Sequence, residues 1–184
     1  MAVIFAKGDT LRTARSDKIY GTDRGKSLIG LGGNDWIQGN RGKDFLWGGA
    51  ANDSIWGGSG DDFIVGGTGR DLLSGYGGRA SFVFDWAPSR SNVDKIADFS
   101  VRDDTIILST AIFKGVGHAE RYMKASAFCV GTAAQDANDR IIHDKAAEAL
   151  YYDPDGAGSR AAIQFAQIDA NLRLTYKDFY MMAQ

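Results

Sequence analysis

Cysteine, proline, histidine and long hydrophobic runs are all scarce in this chain of 184 residues. The single cysteine, Cys129, excludes an intrachain disulfide framework. It lies in Ala127-Phe128-Cys129-Val130 and reads as a small buried apolar residue. The two histidines, His118 and His143, form no H-E-x-x-H, so the chain does not encode zinc-protease chemistry. There is no G-x-S-x-G nucleophile turn either. No segment approaches the ~20 apolar residues of a membrane-spanning helix. Met1-Ala2-Val3-Ile4-Phe5-Ala6-Lys7 lacks the charged start and long apolar run of a secretory signal peptide. Positive charge is not in excess: 21 Lys and Arg face 23 Asp and Glu, for a net charge of −2. That balance implies no general affinity for nucleic acid and no basic membrane-binding face. The chain by itself is therefore expected not to be an enzyme, although it can be part of a larger one.

Glycine is abundant, with 24 residues mostly before position 80. Asp17, Asp35, Asp44, Asp53, Asp62 and Asp71 lie on a nine-residue spacing, broken at Lys26. Two residues after each position comes an apolar one: Ile19, Leu28, Ile37, Leu46, Ile55, Ile64 and Leu73. Gly57-Gly58-Ser59-Gly60-Asp61-Asp62-Phe63-Ile64-Val65 is the cleanest copy of a G-G-x-G-x-D-x-U-x phrase. Its first six residues suit a turn, where glycine permits positive φ. Its last three suit a short strand with the apolar residue pointing inward. Two phrases complete one coil, so each phrase stacks on the next but one at roughly 4.8 Å. The predicted fold is all-β: a right-handed parallel β-roll of nonapeptide repeats followed by a β-rich C-terminal cap.

Stacking divides the sixth positions into two columns, Asp17-Asp35-Asp53-Asp71 and Lys26-Asp44-Asp62-Ala80. Adjacent carboxylates about 5 Å apart repel by ~3 kcal/mol at an effective dielectric of ~20. A bridging cation reverses that sign. Carboxylate and carbonyl oxygens are what hard Ca²⁺ prefers. The candidate ligands are the six aspartates with the turn residues Gly30, Gly32, Gly48, Gly57, Gly58, Gly60, Gly66, Gly67 and Gly69. Bridging of neighbouring rungs leaves the pairs 17/35, 35/53, 53/71 and 44/62 intact, whereas 26/44 and 62/80 each lack a side chain. The repeats are accordingly expected to be disordered without calcium and to fold on binding several Ca²⁺ ions.

The texture divides the chain into residues 1–84, a roll with an N-terminal lead-in, and residues 85–184, a cap. Phe82 holds the inward place of the last phrase. Residues 94–99 and 103–108 read as short strands joined by a turn, and 118–126 as a short helix. Residues 140–144, 149–153 and 161–165 read as antiparallel strands, with a turn at Asp153-Pro154-Asp155-Gly156 that can alternatively hold a further calcium. This half reads as a β-sandwich packed on the roll.

The repeats resemble those of RTX (hemolysin-type) calcium-binding proteins. Downstream, Phe82-Val83-Phe84, Asp94-Lys95-Ile96-Ala97-Asp98-Phe99, Gly131-Thr132-Ala133-Ala134-Gln135-Asp136, Leu150-Tyr151-Tyr152-Asp153 and Leu174-Thr175-Tyr176-Lys177-Asp178-Phe179 resemble the C-terminal region of serralysin-type metalloproteases and the R-modules of alginate epimerases. The resemblance implies a secreted, extracellular bacterial protein that leaves through a type I exporter reading an uncleaved C-terminal signal. Asp178-Phe179-Tyr180-Met181-Met182 is similar to such a signal, though polar Gln184 follows it. Asp94, Asp98, Asp103 and Asp104 align with segments that can bind calcium just past the roll; the alternative is that they cap turns and strands. Lys26, Ala80, Arg24, Lys43 and Arg70 depart from the repeat pattern.

Two look-alike motifs carry no weight. Gly21-Thr22-Asp23-Arg24-Gly25-Lys26-Ser27 has one residue too few for a phosphate-binding P-loop. Gly75-Tyr76-Gly77-Gly78-Arg79-Ala80 precedes a strand where a dinucleotide fingerprint needs a helix. The outward positions are more informative. One sheet presents Ile29, Phe45, Trp47, Phe63, Val65 and Val83, an apolar face for the cap or a chain partner to cover. The other presents Lys18, Tyr20, Trp36, Gln38, Ser54 and Trp56, with Trp36 and Trp56 as candidate platforms for stacking sugars. Three functions follow: calcium-driven folding after export, the C-terminal module of a secreted peptidase or polysaccharide-modifying enzyme with an upstream catalytic domain, and an extracellular polysaccharide-binding or adhesion protein.

Overall fold

The computed structural model describes residues 3–5, 10–169 and 171–183, with the backbone alone for 3–5 and 10–13. The lead-in reading of residues 1–16 and the terminal Gln184 thus fall partly outside the described residues. The first ten strands are Val3–Phe5 (β1), Thr10–Thr13 (β2), Lys18–Tyr20 (β3), Ser27–Gly32 (β4), Trp36–Arg41 (β5), Phe45–Ala50 (β6), Ser54–Ser59 (β7), Phe63–Thr68 (β8), Leu72–Gly77 (β9) and Ser81–Phe84 (β10). Odd strands pair in parallel in one sheet and even strands in the other. Trp36 sits opposite Ser54, and Phe45 opposite Phe63, an offset of two phrases in each sheet. The architecture is therefore a parallel β-roll, as the spacing predicts.

The inward residues behave as one column. Ile19, Leu28, Ile37, Leu46, Ile55, Ile64, Leu73 and Phe82 are all fully buried. They meet along the middle of the roll because position eight is the only inward apolar position of each phrase. The strands are longer than the expected three residues. From β4 to β9 each runs six, continuing through positions one to three of the next phrase. A bend at position two interrupts each run. There Gly49, Gly58 and Gly67 adopt positive φ, and so do Leu31, Asn40 and Tyr76 at 74°, 74° and 59°. Three of six bends thus hold a side chain in a left-handed conformation, a local strain that the stacked coils must maintain.

The remaining strands are Asp94–Ile96 (β11), Thr105–Ser109 (β12), Arg121–Tyr122 (β13), Phe128–Val130 (β14), Ile141–Asp144 (β15), Ala149–Tyr152 (β16), Ile163–Gln167 (β17) and Phe179–Met182 (β18). They do not build the expected separate sandwich. β11 and then β17 extend the odd sheet beyond β9, while β12 and then β18 extend the even sheet beyond β10. Both sheets therefore cross residue 84 without a break. β11 and β12 are joined by a turn at 101–103, as expected, but they lie in opposite sheets, so the turn leads from one sheet to the other and closes no hairpin. β15, β16 and β17 are antiparallel, as expected. The helix expected over 118–126 is absent. Arg121 and Tyr122 pair antiparallel with Met181 and Tyr180, and a 3-10 turn follows at Ala125–Ala127. The edge of β18 offers unpaired backbone groups, and pairing there outcompetes a helix too short to sustain itself.

Where the inward column ends, an aromatic core begins. Phe84 and Phe165 meet edge to face at 5.1 Å, Phe113 and Tyr152 at 5.1 Å, and Phe113 and Phe165 at 5.2 Å. Cys129 is buried, as expected, and burial pushes its thiol up to about 12. His143 is fully buried, and neither ring nitrogen has a hydrogen-bond partner among the described residues.

Candidate metal centre

Each aspartate stands at the mouth of a strand, where the turn of its own phrase ends. One carboxylate oxygen is used by the backbone. Asp17 N–H donates to Asp35 Oδ1 at 2.8 Å, Asp35 N–H to Asp53 at 2.8 Å and Asp53 N–H to Asp71 at 2.8 Å. In the second column Lys26 N–H donates to Asp44 Oδ1 at 2.6 Å and Asp44 N–H to Asp62 at 2.9 Å. All six aspartates are buried, none more than 3% exposed.

The other oxygen is different. Oδ2 of Asp35, Asp44, Asp53, Asp62 and Asp71 is buried with no hydrogen-bond partner among the described residues. A buried carboxylate oxygen left in this way costs free energy unless a cation faces it. Each of these atoms points at a glycine in position one of its own phrase. A Cβ on Gly30 would meet Asp35 Oδ2 and the carbonyl of Gly48. On Gly48 it would meet Asp53 Oδ2 and the Gly66 carbonyl, and on Gly57 Asp62 Oδ2 and the Gly75 carbonyl. Gly66 lies against Asp71 Oδ2. The space beside each missing side chain is thus lined by a carboxylate oxygen and, at Gly30, Gly48 and Gly57, by a carbonyl of the coil above. Gly39, which the sequence reading passed over, borders Asp44 Oδ2 and the Gly57 carbonyl in the same way. Its place at position one was the available signal.

The remaining candidate glycines serve the backbone. Gly58 and Gly67 are the position-two bends, and Gly60 and Gly69 carry the positive φ of position four. A Cβ on Gly32 would lie 3.8 Å from the Ala50 carbonyl, with no carboxylate beside it. Among the described residues no three His, Cys, Asp or Glu side chains converge. Any cation in this ladder is held by a carboxylate together with main-chain carbonyls, the oxygen set that Ca²⁺ favours.

Burial governs the carboxyls. It pushes Asp35, Asp44 and Asp71 up to about 6, and Asp53, which has carboxylates on both sides, up to about 8. Asp62 is raised for the same reason. The backbone N–H bonds oppose the rise. Repulsion along the column, the effect expected from spacing, is smaller than desolvation at each of these positions.

Past the roll the ladder changes hands. Asp71 N–H donates to Asp94 Oδ1 at 3.1 Å, and Ala80 N–H to Asp104 Oδ1 at 2.8 Å. Asp94 and Asp104 therefore take the next rung of each column, although they stand 23 and 24 residues on instead of 18. Asp104 Oδ2 is engaged by Ser100 N–H at 2.9 Å. Asp98 receives Gly75 N–H, Tyr76 N–H and the Ser74 hydroxyl, closing the final bend. Asp103 stands apart, in the turn after Ser100.

On the outer face of the odd sheet Trp36 and Trp56 stack at 3.8 Å, with the Lys18 ammonium 5.9 Å from the Trp36 ring centre. The rings are tilted by 32° to each other, and Trp36 remains exposed. A larger hollow lies elsewhere, between the last coil, the loop at 86–93 and β16–β17. It measures about 620 Å³ and is lined by Arg70, Arg90, Tyr151 and Gln164. Arg70 Nη2 donates to the Arg90 carbonyl at 2.6 Å, and Gly69 N–H to Asn92 Oδ1 at 2.7 Å, so the loop is tied to the roll.

Together these features define a class: a parallel β-roll whose stacked turns carry rows of buried carboxylates. Within it, residues 29–64 and 56–79 match the family of the RTX calcium-binding nonapeptide repeat (4 copies). This stretch consists of RTX calcium-binding repeats. In structure the chain is similar to the AlgE6R3 subunit of the Azotobacter vinelandii mannuronan C5-epimerase, with a TM-score of 0.48, 21% identity and coverage of 90% of this chain and 78% of that one. No curated protein matches the chain. No helix among the described residues is long and apolar enough to cross a membrane.

Proposed function

We propose that the chain is a calcium-dependent folding module of an exported protein, with Ca²⁺ held beside Asp35, Asp44, Asp53, Asp62 and Asp71. Asp17 completes the first column. The row of buried, unpartnered Oδ2 atoms facing position-one glycines supports this reading above all else. When bound, calcium supplies the positive charge that these oxygens lack. Gly30, Gly39, Gly48, Gly57 and Gly66 let these carboxylates lie against the backbone, where a side chain would displace them. Asp98 and Asp104 act as end caps in this reading, since their oxygens already accept backbone N–H groups. Asp103 holds the adjoining turn.

Calcium dependence also accounts for export. A chain that is unfolded at low calcium threads a type I exporter, then orders outside the cell. A titration of the chelated protein with calcium, followed by far-ultraviolet circular dichroism, tests the proposal. The β signal should appear with a midpoint on the order of 10⁻⁴–10⁻³ M, the range of extracellular modules. A spectrum indifferent to chelator and calcium would sink it.

The arginine-lined hollow favours a second role, the binding of an acidic polysaccharide. Arg70 and Arg90 make no ion pair among the described residues. Tyr151, Ala161 and Ala162 connect their hollow to another of about 470 Å³ that contains Arg160. Calcium-loaded protein should be retained by a uronate polymer, and Arg70→Ala with Arg90→Ala should abolish retention. Loss on Trp36→Ala with retention in the arginine variant would instead place the sugar on the odd sheet.

A further inference from the structure

His143 is an ionisable group in the core of the cap, fully buried and with no hydrogen-bond partner for either ring nitrogen among the described residues. It is the third residue of β15. Alternation puts it on the face of Ile141, and Leu150 of β16 stands opposite it; both belong to the main apolar core. Its neighbour on β14 is Val130, so neither flanking strand sets a charged or hydrogen-bonding side chain opposite the ring. Cys129 pairs with Ile142 and faces the other way. Tyr152, level with Ile141, has its hydroxyl engaged by Lys114 N–H. Asp178 is held by the N–H and hydroxyl of Thr175. Burial holds the ring below the usual 6.5, Lys145 in the following turn adds to this, and Asp144 opposes it.

A neutral imidazole can occupy this place. A charged one cannot do so cheaply, because burying an unpaired charge costs far more than burying a neutral ring. We propose that His143 makes the cap acid-labile: when its ring takes up a proton, β14, β15 and β16 open while the calcium-saturated roll stays closed. Above 6.5 the ring is neutral in the open and closed forms alike, and the full stability of the cap is present. As pH falls below 6.5 the opened chain binds a proton that the closed chain refuses, so stability is lost until the buried ring titrates as well. Asp153, a carboxyl of the cap that burial raises, works the other way, since acid favours its neutral form. His118, the only other histidine, is exposed. Tyr151 of β16 lines both hollows on the odd sheet, so the same opening takes apart their shared wall.

Hydrogen exchange of the calcium-saturated full chain from about pH 8 to about pH 5, expressed as protection factors, tests the proposal. The amides of β15 and β16 should lose protection by about tenfold per pH unit below 6.5, the slope of one proton, while those of β5 to β9 keep theirs. His143→Leu should abolish the slope, and His143→Met serves as the second variant should the first fail to fold. His118→Gln should retain the wild-type slope. Protection in β15 and β16 that stays level or rises towards pH 5 overturns the proposal. A slope that survives replacement of His143, or that disappears with His118, overturns it too. Equal loss in β5 to β9, the outcome of calcium release by acid, also overturns it.

Discussion

The roll buries one aliphatic side chain per nine residues, whereas the cap gathers Phe113, Tyr152 and Phe165, with Phe84 from the end of the roll, into edge-to-face contacts. Both regions share the same two sheets. The difference lies in what lies between the sheets. Aromatic clusters bury large areas and add specific contact energy. A column of Ile and Leu between glycine-rich turns buries little against the entropy of ordering so much glycine. The roll moreover encloses a row of carboxylates without partners for one oxygen each. Under the proposed calcium dependence the continuous sheets would be divided in stability: the roll would depend on a cation and the cap on its own side chains.

The largest expected effect tests that division directly. In chelator, hydrogen exchange should strip protection from the amides of β5 to β9 while those of β15 to β17 keep a measurable part of theirs. Simultaneous loss in both regions would show that the shared sheets couple roll and cap into one cooperative unit.

Smaller in effect is a change of pH at low calcium. In the folded roll Asp35, Asp44 and Asp71 sit near about 6 and Asp53 near about 8, all raised from 3.8 by burial. Between the unfolded and folded values the folded chain holds more protons, so its stability falls as pH rises through this window. Chelated protein should be more ordered at pH 5 than at pH 8. Calcium should reverse the order, since it competes with protons for the same oxygens. Chelated roll that gains order towards pH 8 would contradict the burial of ionisable carboxyls.

The two columns offer a finer contrast. Asp53 has Asp35 below and Asp71 above, whereas the rung beyond Asp62 is Ala80. Asp53→Ala should raise the calcium midpoint on the order of tenfold, ~1.4 kcal/mol, and Asp62→Ala by less. Equal effects, or the opposite order, would break the pairing of each phrase with the next but one.

The smallest contrast separates niche from bend within one dipeptide. Gly57→Ala puts a methyl where Asp62 Oδ2 and the Gly75 carbonyl converge, so it should raise the calcium midpoint. Gly58→Ala places a side chain at φ 107° against the Asn40 backbone, so it should lower thermal stability of the calcium-loaded protein. Calorimetry with and without saturating calcium distinguishes the two, and identical behaviour would count against the position-one niche.

Periodicity by itself determined the roll, its stacking and its inward column. A nine-residue phrase can stack on itself only at an offset of two, and the single apolar position of each phrase has only one place to go. The same spacing picked out the six aspartates. Only the tertiary structure decided how the carboxylates divide their oxygens, because that depends on the backbone N–H of a residue 18 positions away. It also decided that Asp94 and Asp104 take the next rungs, since their spacings of 23 and 24 contain crossings and turns of no fixed length. The residues of 85–184 show strands but not which sheet each joins. Strand alternation is local, whereas sheet membership is set by the open edges of β9 and β10, and those exist only once the roll has formed.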